Sequence, residues 1–204
     1  MKAIGICGST RKNGTDFAVR RALEILEKEY GVETTYFTVR GKKINMCIHC
    51  DKCIKENTKT CVIFNDDISH INEAFLESDI ILLGSPVFEM GMSPQMSAIL
   101  SRTRPNYNAL KANPNVFYDK LGMAIAVGGT RNGGQEMTIN SLHGFFHTNG
   151  IIPIGASMGV YAGASIWSKD TMPFTKEVDE CGMKNLDTLT RKVGETLKLI
   201  KGNK

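Results

Sequence analysis

Five short β-prone runs separated by stretches of helical periodicity constrain this 204-residue chain more than any other feature. They are Lys2–Gly8, Glu33–Thr38, Asp79–Gly84, Leu121–Val127 and Ile151–Ala156. Runs such as I-I-L-L-G lack polar alternation, as strands do when both faces of a sheet are covered, and strands that alternate with helices lie parallel with right-handed crossovers. Ala18, Ala22, Ile25, Leu26 and Tyr30 recur at three- and four-residue steps, with Thr15 or Asp16 as the cap of that first helix. Asp66 or Asp67 caps a second helix carrying Ile68, Ile71, Ala74, Phe75 and Leu76, and Ser93 caps a third with Pro94 at its first position. Further helices run to Asn149 and through Leu186, Leu189, Val193, Leu197 and Ile200. The expected architecture is α/β: one domain over 1–204, a doubly wound five-stranded parallel sheet in the order 2-1-3-4-5.

A chain of this length, 42% hydrophobic, can bury one core without a second domain. It shows neither an apolar run of about 18 residues nor a charged-then-apolar leader, so no membrane association and a cytoplasmic location are expected. A net charge of +4, with no basic helix interleaved with aromatics, argues against nucleic acid as a partner. That charge is uneven. Arg40, Lys42, Lys43, Lys52, Lys55 and Lys59 stand against only Asp51 and Glu56 between residues 40 and 59. The segment Arg102–Lys120, rich in Asn and Pro, reads as an arm for subunit packing or active-site cover.

In the order 2-1-3-4-5, loops after strands one and three flank the point where the winding reverses, and ligands settle there. The first of these loops, Ser9-Thr10-Arg11-Lys12-Asn13-Gly14-Thr15, opens onto a helix start, whose unpaired N–H groups and positive dipole end suit a phosphate. Gly8 and Gly14 are separated by five residues and no lysine follows, so the loop is not a nucleoside-triphosphate cradle; G-x-G-x-x-G is also absent. A terminal monophosphate, as in FMN, remains; the alternative is an ordinary polar turn. The loop Ser85-Pro86-Val87-Phe88 leaves strand three, and Gly128-Gly129-Thr130 begins a glycine-rich loop that lets backbone lie flat against a ligand.

Four of the six cysteines fall in one segment, spaced Cys47-x2-Cys50-x2-Cys53-x7-Cys61. Three thiols at three-residue steps converge on one side of a tight turn, the arrangement that holds an iron-sulfur cube, with Cys61 as fourth ligand. Zinc and disulfides are the alternatives: zinc sites bring together two separated pairs, and the thiols are crowded for disulfides. His49 reads as an exposed or supporting histidine, Cys7 as a core residue and Cys181 as a free thiol.

Taken together these motifs resemble the iron-sulfur flavoproteins, a branch of the NADPH-dependent FMN reductase group with a flavodoxin-like fold. G-S-T-R-K-N-G-T is similar to the group's phosphate loop, implying that Ser9, Arg11, Asn13, Gly14 and Thr15 hold the FMN phosphate. S-P-V-F-E-M-G-M-S resembles its second loop, implying that Pro86, Val87 and Phe88 line the isoalloxazine ring, and Gly128, Gly129 and Thr130 match its third. The cysteine run, an insertion over 47–61 after strand two, resembles a [4Fe-4S] site. Phe88 stands where the group commonly has tyrosine. Residues 96–102 read M-S-A-I-L-S-R, lacking the group's lysine and aspartate, which alters the dimer contacts expected.

The resemblance implies a homo-oligomeric redox flavoprotein. An acidic one-electron carrier such as ferredoxin would deliver electrons through the cluster to FMN, and they would leave to a two-electron acceptor such as oxygen or peroxide. No side-chain general acid is required, since the chemistry lies in the cofactor. The alternatives are an NAD(P)H-dependent FMN or quinone reductase with an ancillary cluster, and a non-enzymatic redox sensor or zinc-stiffened FMN-binding module.

Overall fold

The structure, a computed structural model, describes residues 1–202. Strands β1 (Lys2–Cys7), β2 (Glu33–Thr38), β3 (Ile80–Pro86), β4 (Leu121–Gly128) and β5 (Ile152–Pro153) form a parallel sheet in the order β2-β1-β3-β4-β5. Successive side chains point to opposite faces, so one strand feeds two cores. Leu121, Met123, Ile125 and Val127 join a core with α1 (Gly14–Tyr30) and α7 (Glu180–Gly202). Ala124 and Ala126 join the other, under α3 (Ile71–Glu77), α4 (Pro94–Ser101) and α6 (Gln135–Asn149). Both faces are covered, which is why these runs read as continuously apolar.

The fifth run is shorter than expected. Only Ile152 and Pro153 pair, with Leu121 and Gly122; the rest of the β4 edge is taken by β6 (Ala164–Trp167), from Ile125↔Ala164 to Gly128↔Trp167. The chain leaves the sheet at Gly155, where a Cβ would lie 2.8 Å from the Tyr161 carbonyl oxygen, and Ala156 N–H donates to that same oxygen at 3.1 Å. A side chain at 155 would block this excursion. Trp167 is a strand residue beside the C-terminal end of β4.

Helix ends follow local chemistry with two departures. Gly31, at φ 65°, closes α1 by donating its N–H to Glu27, while Val32 N–H reaches Leu26, the usual left-handed helix stop. Ser93 caps α4 as expected, its Oγ accepting Met96 N–H at 3.2 Å. Thr15 and Asp16 do not cap α1, which begins at Gly14 after Asn13; both are buried in its first turn. Asp66 and Asp67 do not cap α3, which starts at Ile71. Their carboxylates accept from backbone N–H groups of Asn45 and Lys43 instead, closing the base of the loop that carries the cysteines.

Within the segment 102–120, Arg102, Asn106, Phe117 and Lys120 are buried, and α5 (Asn106–Ala112) lies against the cysteine loop, with Asn108 Nδ2 donating to the carbonyls of Cys53, in the short helix α2 (Lys52–Lys55), and Thr58 at 3.0 and 3.1 Å.

Candidate functional site

α1 leaves β1 toward one face of the sheet and α4 leaves β3 toward the other, which opens a crevice between neighbouring strands. A cavity of about 210 Å³ occupies it. Ser9, Thr10, Arg11, Asn13, Gly14 and Thr15 line one side, Pro86, Val87 and Phe88 another, and Gly129 a third. Three loops far apart in sequence thus meet at one cavity.

The first intrahelical hydrogen bond of α1 runs from Phe17 N–H to Asn13 C=O at 2.9 Å, so the amides of Gly14, Thr15 and Asp16 have no acceptor within the helix. Arg11 is exposed at this end, and its guanidinium makes no ion pair among the described residues. Asp16 would oppose an anion here, but it is 3% exposed and heavily compensated. Tyr36 O–H donates to it at 2.6 Å, Arg20 Nε–H at 2.9 Å, and the Arg40 guanidinium lies 3.5 Å away. Burial, then the bond to Asp16, push the Tyr36 hydroxyl far above its usual range, which keeps it a donor.

Four expected residues, Lys12, Ser85, Gly128 and Thr130, do not line the cavity. Ser85 Oγ donates to the Pro86 carbonyl and accepts Ser93 N–H, each at 2.8 Å, while Ser93 Oγ donates to the Gly8 carbonyl at 2.7 Å. These buried hydroxyls bracket two of the loops together. Gly128 and Thr130 present carbonyls to Ser168 and Gln135, and Lys12 faces a groove with Phe17 and Pro173. Asn13 lines the cavity, but its amide is engaged: Nδ2 donates to the Thr171 carbonyl at 3.0 Å and Oδ1 accepts Phe174 N–H at 2.7 Å.

Those contacts bring in a wall that sequence reading missed. Ser168 and Asp170, from the strap after β6, line the cavity together with Gln95 and Val127. Their only signal in the sequence is position after the last sheet strand, and that strand, β6, is not among the five expected. At the mouth, Phe88 and Gly91 exchange backbone hydrogen bonds of 2.9 and 2.7 Å around the left-handed Glu89 and Met90. Gly134, at φ 107°, comes so close to Met90 that a Cβ would lie 2.7 Å from its Cα, so only glycine fits there.

The second pocket lies beside the first. Cys47, Cys50, Cys53 and Cys61 line it with Ile48, Val62, Ile63, Phe64 and Pro105. All six cysteines are free thiols; Cys7 is buried in the sheet core, Cys181 is exposed on α7, and neither reaches this pocket. Among the described residues no three His, Cys, Asp or Glu side chains are gathered tightly enough to hold one metal ion. Burial, then the neighbouring Cys61, Cys47 and Cys50, push the Cys53 thiol up. His49 N–H donates to Cys47 Sγ at 3.3 Å, and its side chain, 71% exposed, brings Nε2 to 3.8 Å from Asp51 Oδ1.

Arg102 holds this loop to the fold. Its side chain and that of Asp66 are 2% and 0% exposed, paired at 2.8 Å, and a second bond of 3.0 Å reaches the Asn45 carbonyl. Arg104 grips Asp51 through Nε and a terminal nitrogen, at 2.9 and 2.6 Å. α4 joins the two pockets: Gln95 in its first turn lines the larger cavity, and Ser101 at its end accepts Cys47 N–H at 3.1 Å. Six residues of helix rise about 9 Å.

The family model described as NADPH-dependent FMN reductase matches residues 1–163. The chain is 43% identical over 203 residues to an iron-sulfur flavoprotein of Methanocaldococcus jannaschii, covering 99% of this chain and 100% of that one. The chain belongs to the iron-sulfur flavoproteins, a branch of the NADPH-dependent FMN reductase family. An iron-sulfur flavoprotein of Archaeoglobus fulgidus is 42% identical over 200 residues, 98% of each chain. A WrbA-like flavodoxin from Agrobacterium tumefaciens matches in structure with a TM-score of 0.60 at 14% identity, over 100% of this chain and 99% of that one. The flavodoxin-like fold and the family expected from the motifs are both borne out. The protein is an FMN-dependent oxidoreductase, and no described helix is long and apolar enough to cross a membrane.

Proposed function

We propose that this flavoprotein takes single electrons from an acidic carrier such as ferredoxin at a [4Fe-4S] cluster, and delivers them as pairs from FMN to a two-electron acceptor such as oxygen or peroxide. The observation that carries this reading is the placement of four thiols around one apolar pocket, one helix length from the cavity that suits FMN. When bound, the cluster supplies one-electron exchange and the flavin couples it to two-electron chemistry.

The residues present fit both groups. Cys47, Cys50, Cys53 and Cys61 supply four thiolates, and Arg102 Nε–H is a buried donor without a partner among the described residues, at a pocket where inorganic sulfide would accept it. For the flavin phosphate, Ser9, Thr10, Arg11, Gly14 and Thr15 offer hydroxyls, a cation and free helix-start amides; Asn13 and Lys12 shape and flank the loop. Pro86, Val87, Phe88 and Gly129 would bound the ring, with Ser85, Gly128 and Thr130 holding those loops in place.

Lys52, Lys55 and Lys59 are exposed on the cysteine loop and make no ion pair among the described residues, whereas Lys42 is paired with Asp67 at 3.4 Å. Such a patch steers an acidic carrier over roughly one Debye length, about 10 Å at 0.1 M salt. Anaerobic single-turnover mixing tests the proposal. Reduced ferredoxin should reduce the bound flavin quickly, in a reaction that slows steeply with salt, and NADPH should not. Fast reduction by NADPH with salt-independent ferredoxin kinetics would leave an NADPH-dependent reductase as the function.

A further inference from the structure

Two arginines line the thiol pocket, and their charges are disposed differently. Arg102 is committed to Asp66 through both terminal nitrogens, at 2.8 and 3.2 Å, at the buried base of the loop. Arg104 stands at the rim, its side chain 36% exposed, and both of its bonds go to a single oxygen of Asp51. Asp51 sits between Cys50 and Cys53 at a left-handed φ of 57°, so the turn that brings the thiols together also aims its carboxylate at a guanidinium 53 residues away. Arg104 is close enough to Cys47 and Cys53 to interact with them electrostatically, after its larger interaction with Asp51. His49 Nε2 also approaches the same Asp51 oxygen, at 3.8 Å.

We propose that Arg104 is a positioning residue that sets the reduction potential of the cluster held by the four cysteines, and that Asp51 is the counter-charge limiting how much of the guanidinium the sulfurs feel. The inference rests on the cluster reading given above. Reduction adds negative charge to the cluster, so a fixed cation beside the sulfurs stabilises the reduced form and raises the potential. Buried Pro105 and half-buried Phe64 reduce the screening of that charge on the side of the pocket away from solvent, whereas Ile48, Val62 and Ile63 are exposed. A guanidinium suits the task because it stays protonated at any working pH and its planar fork is held by the carboxylate.

A structural clamp would predict equivalent damage from losing either partner; an electrostatic one predicts opposite signs. Arg104→Gln, Arg104→Lys and Asp51→Asn are compared with the wild-type holoprotein by redox titration, following the cluster by EPR and the flavin by absorbance. Arg104→Gln leaves Asp51 uncompensated and should lower the cluster potential. Asp51→Asn frees the guanidinium charge and should raise it. Each shift is expected to change the reduced-to-oxidised ratio at fixed potential about tenfold, which is 59 mV for a one-electron couple. Arg104→Lys should stay near wild type, and the flavin potential should move less than the cluster's in every variant. Shifts of the same sign, no shift, or loss of iron from all three variants would overturn the proposal and leave the pair as a clamp. Wild-type protein without iron and acid-labile sulfide would instead remove the cluster reading, and the two failures are told apart by that analysis.

Discussion

The two pockets at the ends of α4 are built by opposite means. The cavity between the loops rests on backbone, loop ends and helix-start amides, braced from behind by buried serine hydroxyls and positioned by the order in which β1, β3 and β4 lie in the sheet. The thiol pocket is made of side chains spaced along one segment with little secondary structure, held to the fold by Arg102, Arg104 and Asn108. A site supported by sheet topology spreads its dependence over many weak contacts. A loop stapled by buried ions concentrates it in a few residues, and that difference can be tested.

The largest expected effect is at Cys61, the ligand with the longest sequence gap. Cys61→Ala should abolish the four-iron spectrum while FMN stays bound, turning brown protein yellow; iron, sulfide and flavin analysis measure this. Four irons per chain in the variant would place the fourth ligand elsewhere. Parallel loss of FMN would break the comparison by showing that the pockets are one unit.

Next comes the staple itself. Arg102→Ala leaves the Asp66 carboxylate buried without its partner, and breaking a buried pair in this way costs about 3–5 kcal/mol. Denaturant unfolding should show that loss, and limited proteolysis should cut first between residues 43 and 66. Burial works to raise the Asp66 pKa, but hydrogen bonds from Arg102 and Asn45 outweigh it and hold the carboxyl below its ordinary range. With the folded value depressed, the pair's contribution is complete above an unfolded carboxylate pKa of about 4 and is lost as pH falls through the folded value. Acid titration of stability should therefore be steeper in wild type than in Asp66→Asn.

The smallest effect is expected in the cavity built from backbone. Arg11→Ala removes one charge-assisted phosphate contact worth about 1.5–3 kcal/mol, roughly ten- to a hundredfold in FMN affinity, and should leave the iron content unchanged. Equilibrium dialysis of apoprotein with FMN decides it; an unchanged dissociation constant would sink the phosphate-loop assignment.

Much of this was legible in the residues. The apolar runs and their helical partners carried the sheet order, because parallel strands buried on both faces leave an unmistakable pattern. Three of the pocket cysteines were recoverable because they fall in a three-residue repeat, and the fourth, Cys61, because it follows within the same short segment. Less legible were residues whose role depends on a distant partner. Asp66 reads locally as a helix cap and is half of a buried ion pair with Arg102; Asn13 reads as a phosphate donor and ties down the 171–174 strap. Ser168 and Asp170 were missed because β5 ends after Pro153 and the chain rejoins β4 only at Ala164.

The sequence by itself thus determined the fold class, the polar loop that opens onto α1 and the clustering of the four thiols in one segment, since periodicity and short-range spacing are local properties. Tertiary structure alone decided that Arg102 and Arg104 frame the thiols, that Asp16 is compensated by Tyr36 and Arg40, and that a strap from beyond β6 walls the cavity between the loops. These are contacts between residues tens to more than a hundred positions apart. Which of many possible partners a buried charge meets depends on the geometry of the whole sheet, and no local pattern records it.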